Sequence, residues 1–115
     1  MQQTTLNIKD EELQCPNCKN SYLHHSFVQI FERVKEDGES SAIQIDGINS
    51  SGKFLISMSE NNQRNPSARR DGIIIGFWCE CCSAHIEMHI AQHKGCTELW
   101  MQHDPAGRLS EAVKF

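Results

Sequence analysis

Two short cysteine stretches constrain this chain more than anything else in it: Cys15-Pro16-Asn17-Cys18 near the start and Cys79-Glu80-Cys81-Cys82 in the second half. A Cys-x-x-Cys turn sets two sulfurs within bite distance of one ion, and two such turns complete a tetrahedron. Zn²⁺ is borderline-soft and accepts four thiolates in a closed shell. The spacing selects Cys15, Cys18, Cys79 and Cys82 as ligands, with Pro16 stiffening the first turn. Cys81 is the spare, since pairing Cys79 with Cys81 would be an unusual bite. Cys96 stands alone and reads as a buried or semi-buried thiol. The expected fold is mainly β: small antiparallel sheets organised around a zinc ribbon with two Cys-x-x-Cys knuckles. Structural zinc in small peptides contributes roughly 10–16 kcal/mol of apparent binding energy, so much of such a fold depends on its metal.

The cysteines have two competing readings. A Cys-Pro-Asn-Cys redox dithiol usually opens a helix after a strand, but the residues after Cys18 are strand formers. Disulfides are rare in a reducing compartment.

Composition narrows the class. A chain of 115 residues that is 38% hydrophobic fits one domain, residues 1–115, with 1–14 and 103–115 peripheral or flexible. Aromatic residues are only 7%, so a metal staple would offset a thin core. The formal charge of −4 lacks the broad positive field of a non-specific nucleic-acid binder. No apolar run approaches the ~18 residues of a membrane span. The first residues carry neither a charged n-region nor an apolar h-region, so a cytoplasmic location is expected and membrane association is not.

Along the chain, Leu6, Ile8 and Leu13 punctuate a polar lead, in which Asp10-Glu11-Glu12 suggests a helical turn. Ser21 to Val34 is rich in strand formers, with alternation broken around Val28 to Phe31, either by a bulge or because both faces are covered. Residues 35–41 form a turn by composition, Ala42 to Ile48 a second strand, Asn49-Ser50-Ser51-Gly52 a turn and Phe54 to Ser59 a third strand. The polar stretch Glu60 to Gly72 reads as a long loop, a kind that is usually functional or mobile. Gly72 to Cys79 is the most apolar stretch and reads as a central strand that delivers the second knuckle. His85 to His93 alternates with period two, Ile86, Met88 and Ile90 against His85, Glu87, His89, Ala91 and His93, which predicts a strand. Lys94-Gly95 is a turn, Thr97 to Gln102 the return strand, and residues 108–115 a final helical turn or tail.

The histidines raise the question of a second, catalytic metal. His85, His89 and His93 share a strand face, but positions four apart on a strand are roughly 13 Å apart. One ion would need partners from other strands, such as His24 or His25, with Glu87 as the carboxylate. The plainer reading is a polar sheet face, and His85 also stands nearest as a substitute ribbon ligand.

The chain resembles a family of small uncharacterised proteins of bacteria, phages and prophages. The residues that carry the resemblance are Cys15-Pro16-Asn17-Cys18, Tyr22-Leu23-His24-His25, Asn65-Pro66-Ser67-Ala68-Arg69-Arg70-Asp71-Gly72, Phe77-Trp78-Cys79-Glu80-Cys81-Cys82 and Gln92-His93-Lys94-Gly95 through Trp100. The resemblance spans roughly residues 15 to 102. It implies a zinc-ribbon fold and a bound metal, and it supports Cys79 and Cys82 as ligands with Cys81 in a variable place. It implies no activity. Cys96 departs from the pattern.

Three functions follow as expectations. The first is a non-enzymatic binding module with structural Zn²⁺, meeting a partner through the loop that carries Arg64, Arg69 and Arg70. Arginine forks suit carboxylates and phosphates. A protein partner is favoured over nucleic acid, because no aromatics interleave with the arginines as a single-strand binder requires. The bland alternative is a solvated loop. The second function is a metal-dependent enzyme using His24, His25, His85, His89 and His93. The third is a self-associating protein that pairs the edge strand Phe54 to Ser59 across a dimer.

Overall fold

The computed structural model describes residues 2–35, 39–46 and 52–104. The turns expected at 35–41 and 49–52, the end of the second strand at Ile48 and the tail from 105 fall wholly or partly outside those residues. The described chain is all strand and turn. Its strands are β1 (Gln2–Thr4), β2 (Ile8–Lys9), β3 (Glu12–Leu13), β4 (Leu23–Arg33), β5 (Ser40–Asp46), β6 (Leu55–Ser59), β7 (Gly72–Cys79), β8 (His85–His93) and β9 (Cys96–Asp104). A seven-stranded sheet has the order β1-β9-β8-β7-β4-β5-β6, and β2 and β3 form a small hairpin. Every pairing is antiparallel.

Two meanders, β4-β5-β6 and β7-β8-β9, are joined edge to edge through β4 and β7. Their turns follow local chemistry. Lys94 and Gly95, both at positive φ, make the two-residue turn between His93 and Cys96. Asp10 and Glu11, at φ 51° and 69°, do the same between Lys9 and Glu12. The expected helical turn there is instead a hairpin, because two left-handed residues match the twist of paired strands.

The broken alternation around Val28 to Phe31 has a simple cause. Phe27, Gln29 and Phe31 are buried on one face, while Val28 and Ile30 lie on the other. The irregularity in pairing sits earlier, between His25 and Phe27.

The two faces differ in kind. The inner face holds Phe27, Phe31, Ala42 and Ile74 together with buried Gln29, Gln44, His85, Glu87 and His89. The connection from β6 to β7 covers it. The outer face carries cross-strand rows of apolar side chains. One runs Ile56, Ile45, Val28, Ile75, Met88, Met101 from β6 to β9. At its metal end this face is capped by a core of Cys15, Cys79, Ala84, Ile86 and Met101, with Leu6, Leu13, Leu23 and Phe77 packed against it. Residues 2–14, expected at the periphery, thus supply an edge strand and two core contacts.

Candidate metal centre

The two knuckles are built alike. In the first, the Lys19 amide donates to the Cys15 carbonyl at 2.9 Å, and Lys19 has φ 67°. In the second, the Ser83 amide donates to the Cys79 carbonyl at 3.2 Å, and Ser83 has φ 59°. The fourth residue after the first cysteine of each pair is left-handed in both, which curls the backbone around the sulfurs. β7 delivers Cys79 directly, and the Glu80 amide ties the second knuckle to the Tyr22 carbonyl at 3.1 Å.

The sulfurs of Cys15, Cys18, Cys79 and Cys82 all lie within 4.8 Å of one another. Cys15 meets Cys82 at 3.6 Å and Cys18 meets Cys79 at 3.5 Å. A tetrahedral site with metal–sulfur bonds near 2.3 Å has sulfurs about 3.8 Å apart. A disulfide would bring them to about 2.0 Å, and all described cysteines are free. The donor set therefore fits a tetrahedral, thiolate-bound ion, and the pairing of Cys79 with Cys82 puts Cys81 outside, on the surface.

The thiols are unevenly prepared for ionisation. Burial pushes Cys15 up to about 12. Burial pushes Cys82 up too, but hydrogen bonds from the Asn17 side chain, the Ala84 backbone and neighbouring thiols outweigh it and bring it down to about 7. Four thiolates this close repel one another, and a cation among them removes that penalty. Cys96, expected to be at least half-buried, is exposed. It opens β9 opposite His93, next to the Lys94-Gly95 turn.

The other singled-out residues are scattered. His24 stacks on Trp78, ring centroids 4.4 Å apart, and bonds Glu80 at 2.5 Å. His25 and His93 are exposed. Only His85 and His89 converge, and they do so on Glu87, at 2.7 and 2.9 Å. Their face is not a solvated polar one: Glu87 is fully buried and the two histidines nearly so.

Arg64 is what covers them. Its guanidinium donates to both Glu87 oxygens, at 2.7 and 2.6 Å, and to Gln29. Gln29 donates to Gln44 at 2.9 Å, and Gln44 to Asp46. A chain of polar contacts thus crosses the inner face from β5 to β8. Burial would push Glu87 up, but hydrogen bonds from His85 and His89, together with the Arg64 charge, hold it well below the usual carboxylate range.

The rest of the 60–71 loop is stapled rather than loose. Asn65 accepts from the Ser67 amide at 2.9 Å, Ser67 donates to the Gln92 carbonyl at 2.8 Å, and Asp71 accepts from the Arg33 amide at 2.8 Å. A Cβ on Gly72 would collide with Asn65 and Pro66. Of the three loop arginines, Arg64 turns inward and Arg69 and Arg70 are exposed. Arg33, Lys35 and Arg70 line one cavity of about 290 Å³ with Asp71 and Gln92. Arg69, Arg70, His93 and Lys94 line a second of about 90 Å³. Cations therefore gather at the end of the sheet away from the knuckles, on an otherwise acidic chain.

Gln29 and Gln44 were not singled out in the sequence. Their signal was a polar residue at an inward position, Gln29 between Phe27 and Phe31, and Gln44 between Ala42 and Asp46.

Fold and site together define a class: an antiparallel β protein with a ribbon-like pair of knuckles that could hold a metal through four cysteines. Comparison with known protein families, curated proteins and solved structures gives no match. Among the described residues, no helix is long and apolar enough to cross a membrane.

Proposed function

We propose that this chain is a non-enzymatic zinc-ribbon module that holds one structural Zn²⁺ and meets a protein partner through the loop carrying Arg69 and Arg70. The observation that carries the reading is the convergence of four sulfurs from two knuckles 61 and 67 residues apart. A closed four-cysteine shell leaves no open position for substrate, which is the mark of a structural site. The histidines do not argue for catalysis, because His85 and His89 turn an imidazole nitrogen to Glu87 beneath Arg64.

The partner surface is acidic in this reading. Arg33, Lys35, Arg69, Arg70 and Lys94 cluster at one end of the molecule, and Arg64 serves the loop from below. Guanidinium forks at such an end suit carboxylates. In the phage or prophage setting that the resemblance implies, the partner is a host protein.

Elemental mass spectrometry of the purified chain tests the metal, with one zinc per chain expected. A second metal would bring the histidines back as an enzyme site, and no metal would overturn the ribbon. Affinity capture tests the surface. A protein retained by the wild type and lost by the Arg69→Glu/Arg70→Glu variant, at unchanged zinc content, is the expected result. Equal retention by both would remove the loop from the interface.

A further inference from the structure

Among the described residues, none forms a second layer over the outer face of the sheet beyond the knuckle end. Besides the row from Ile56 to Met101, a second row runs Met58, Ile43, Ile30, Ile73, Ile90, Leu99, again from β6 to β9. Neither row contains a charged or polar side chain. Only Met101, beside the metal-end core, is buried; Met58 is 76% exposed, Leu99 49% and Ile30 37%. A half-buried antiparallel sheet normally turns its polar side chains outward. Here the polar residues Gln29, Gln44, Glu87, His85 and His89 face inward under the loop, and the isoleucines of the two rows face out.

We infer that this face is an interface between two copies of the chain, packed sheet on sheet about a two-fold axis. Charge argues for a second copy. The net charge is −4, yet both rows are uncharged, so the two-fold joins neutral surfaces and keeps the acidic groups apart. Nothing in the rows would select a charged partner. Shape argues the same way, because two aligned sheets pack about 10 Å apart with interleaved side chains, and an isologous contact needs one self-complementary patch.

Size is adequate. At ~4.8 Å per strand and ~3.4 Å per residue, two rows six strands wide project roughly 400 Å². Side-chain relief and a polar rim bring this towards the ~800 Å² per partner of a stable interface. The rim is at hand in Glu32 and Ser41 on one pair of strands and Gln92 and Thr97 on another. The Arg69–Arg70 loop lies over the opposite face, so the dimer would present two such loops outward.

Sedimentation equilibrium of the full zinc-loaded chain over a wide concentration range tests this. A dimer is expected. Ile30→Lys and Leu99→Lys should each weaken it by 100-fold or more at unchanged zinc content. Leu99 lies at the opposite end of its row from the free edge of β6, so an edge-to-edge dimer would ignore its substitution. If Ile30→Lys loses its metal, Leu99→Lys, at an exposed position, carries the test. A dimer indifferent to these changes would place the contact on β6 and overturn the inference. A full chain that stays monomeric overturns it too, whether residues 105–115 or another protein then covers the face.

Discussion

Glu87 of β8 presents both carboxylate oxygens to one nitrogen of Arg64, at 2.7 and 2.6 Å, and so pins the β6–β7 connection across the inner face of the sheet. The carboxylate is 1% exposed and the guanidinium 24%. Such a pair is not a surplus of stability, because both charges lose hydration. Its consequence lies in what remains when one partner goes. Without Arg64, Glu87 keeps only two imidazoles; without Glu87, a cation lies on Gln29 and the histidines.

Arg64→Met should therefore cost about 3 kcal/mol, the lower end for breaking a buried pair because Arg64 keeps some solvent contact. Glu87→Gln should cost a similar amount. Urea unfolding at fixed zinc measures both. Amide exchange adds a local readout, since residues 60–71 should lose protection first while the β7–β8 amides keep theirs. A loss under about 0.5 kcal/mol, the level of an ordinary surface change, would show that the loop is held by its other staples.

Acid should act through the same residue. The folded Glu87 carboxyl ionises well below its ordinary value of 4.5. The stability it adds is fully present above that ordinary value and is lost as pH falls from there towards the depressed one. Carboxyl NMR should find Glu87 still ionised as pH falls below that ordinary value. A Glu87 resonance that titrates at the ordinary value would show that the Arg64 and histidine contacts do not persist in solution.

Local pattern was enough to place the six longer strands, β4 to β9. Gly72–Cys79 and His85–His93 stand where β-branched content and period two put them, and Lys94-Gly95 turns as its residues require. The cysteine cluster was legible because metal chemistry leaves little choice of spacing. Which face of β8 would be buried was not legible. Period two separates Ile86, Met88 and Ile90 from His85, Glu87 and His89, and hydrophobicity assigns the first set to the interior. The β6–β7 connection reverses this at Glu87 by bringing Arg64 across two strands, a long-range pairing with no local mark. Arg64, read beside Arg69 and Arg70, looked like one more surface arginine for the same reason. Asp10-Glu11 misled differently, since acidic residues open helices and also fill left-handed hairpin turns.

Gly76 should tolerate no side chain. It lies opposite Phe27, and a Cβ there would sit inside the Phe27 ring, which is 4% exposed and has little room to move. Gly76→Ala should cost about 1–3 kcal/mol, the range for overpacking. Phe27→Leu should recover part of that loss in the double variant, because the branched side chain vacates the ring's far edge. Thermal or urea unfolding of the four forms gives the coupling. Strictly additive losses would mean that the ring is not what fills the space over Gly76.

The metal prediction separates the cysteines. Structural zinc supplies roughly 10–16 kcal/mol of apparent energy in small peptides, as much as the whole stability of a typical domain at about 5–15 kcal/mol. Cys18→Ser and Cys82→Ser each remove one ligand and should leave the knuckle core of Cys15, Cys79, Ala84 and Ile86 without its staple. Both variants should lose zinc, and a strong chelator should unfold the wild type with the same loss of near-UV circular dichroism. Cys81→Ser and Cys96→Ser change exposed thiols outside the cluster and should keep one zinc and wild-type stability within about 0.5 kcal/mol. Loss of zinc in Cys81→Ser, with retention in Cys82→Ser, would reassign the fourth ligand. Such an exchange would also break the likeness between the knuckles, because the left-handed Ser83 would no longer follow a ligand as Lys19 follows Cys18.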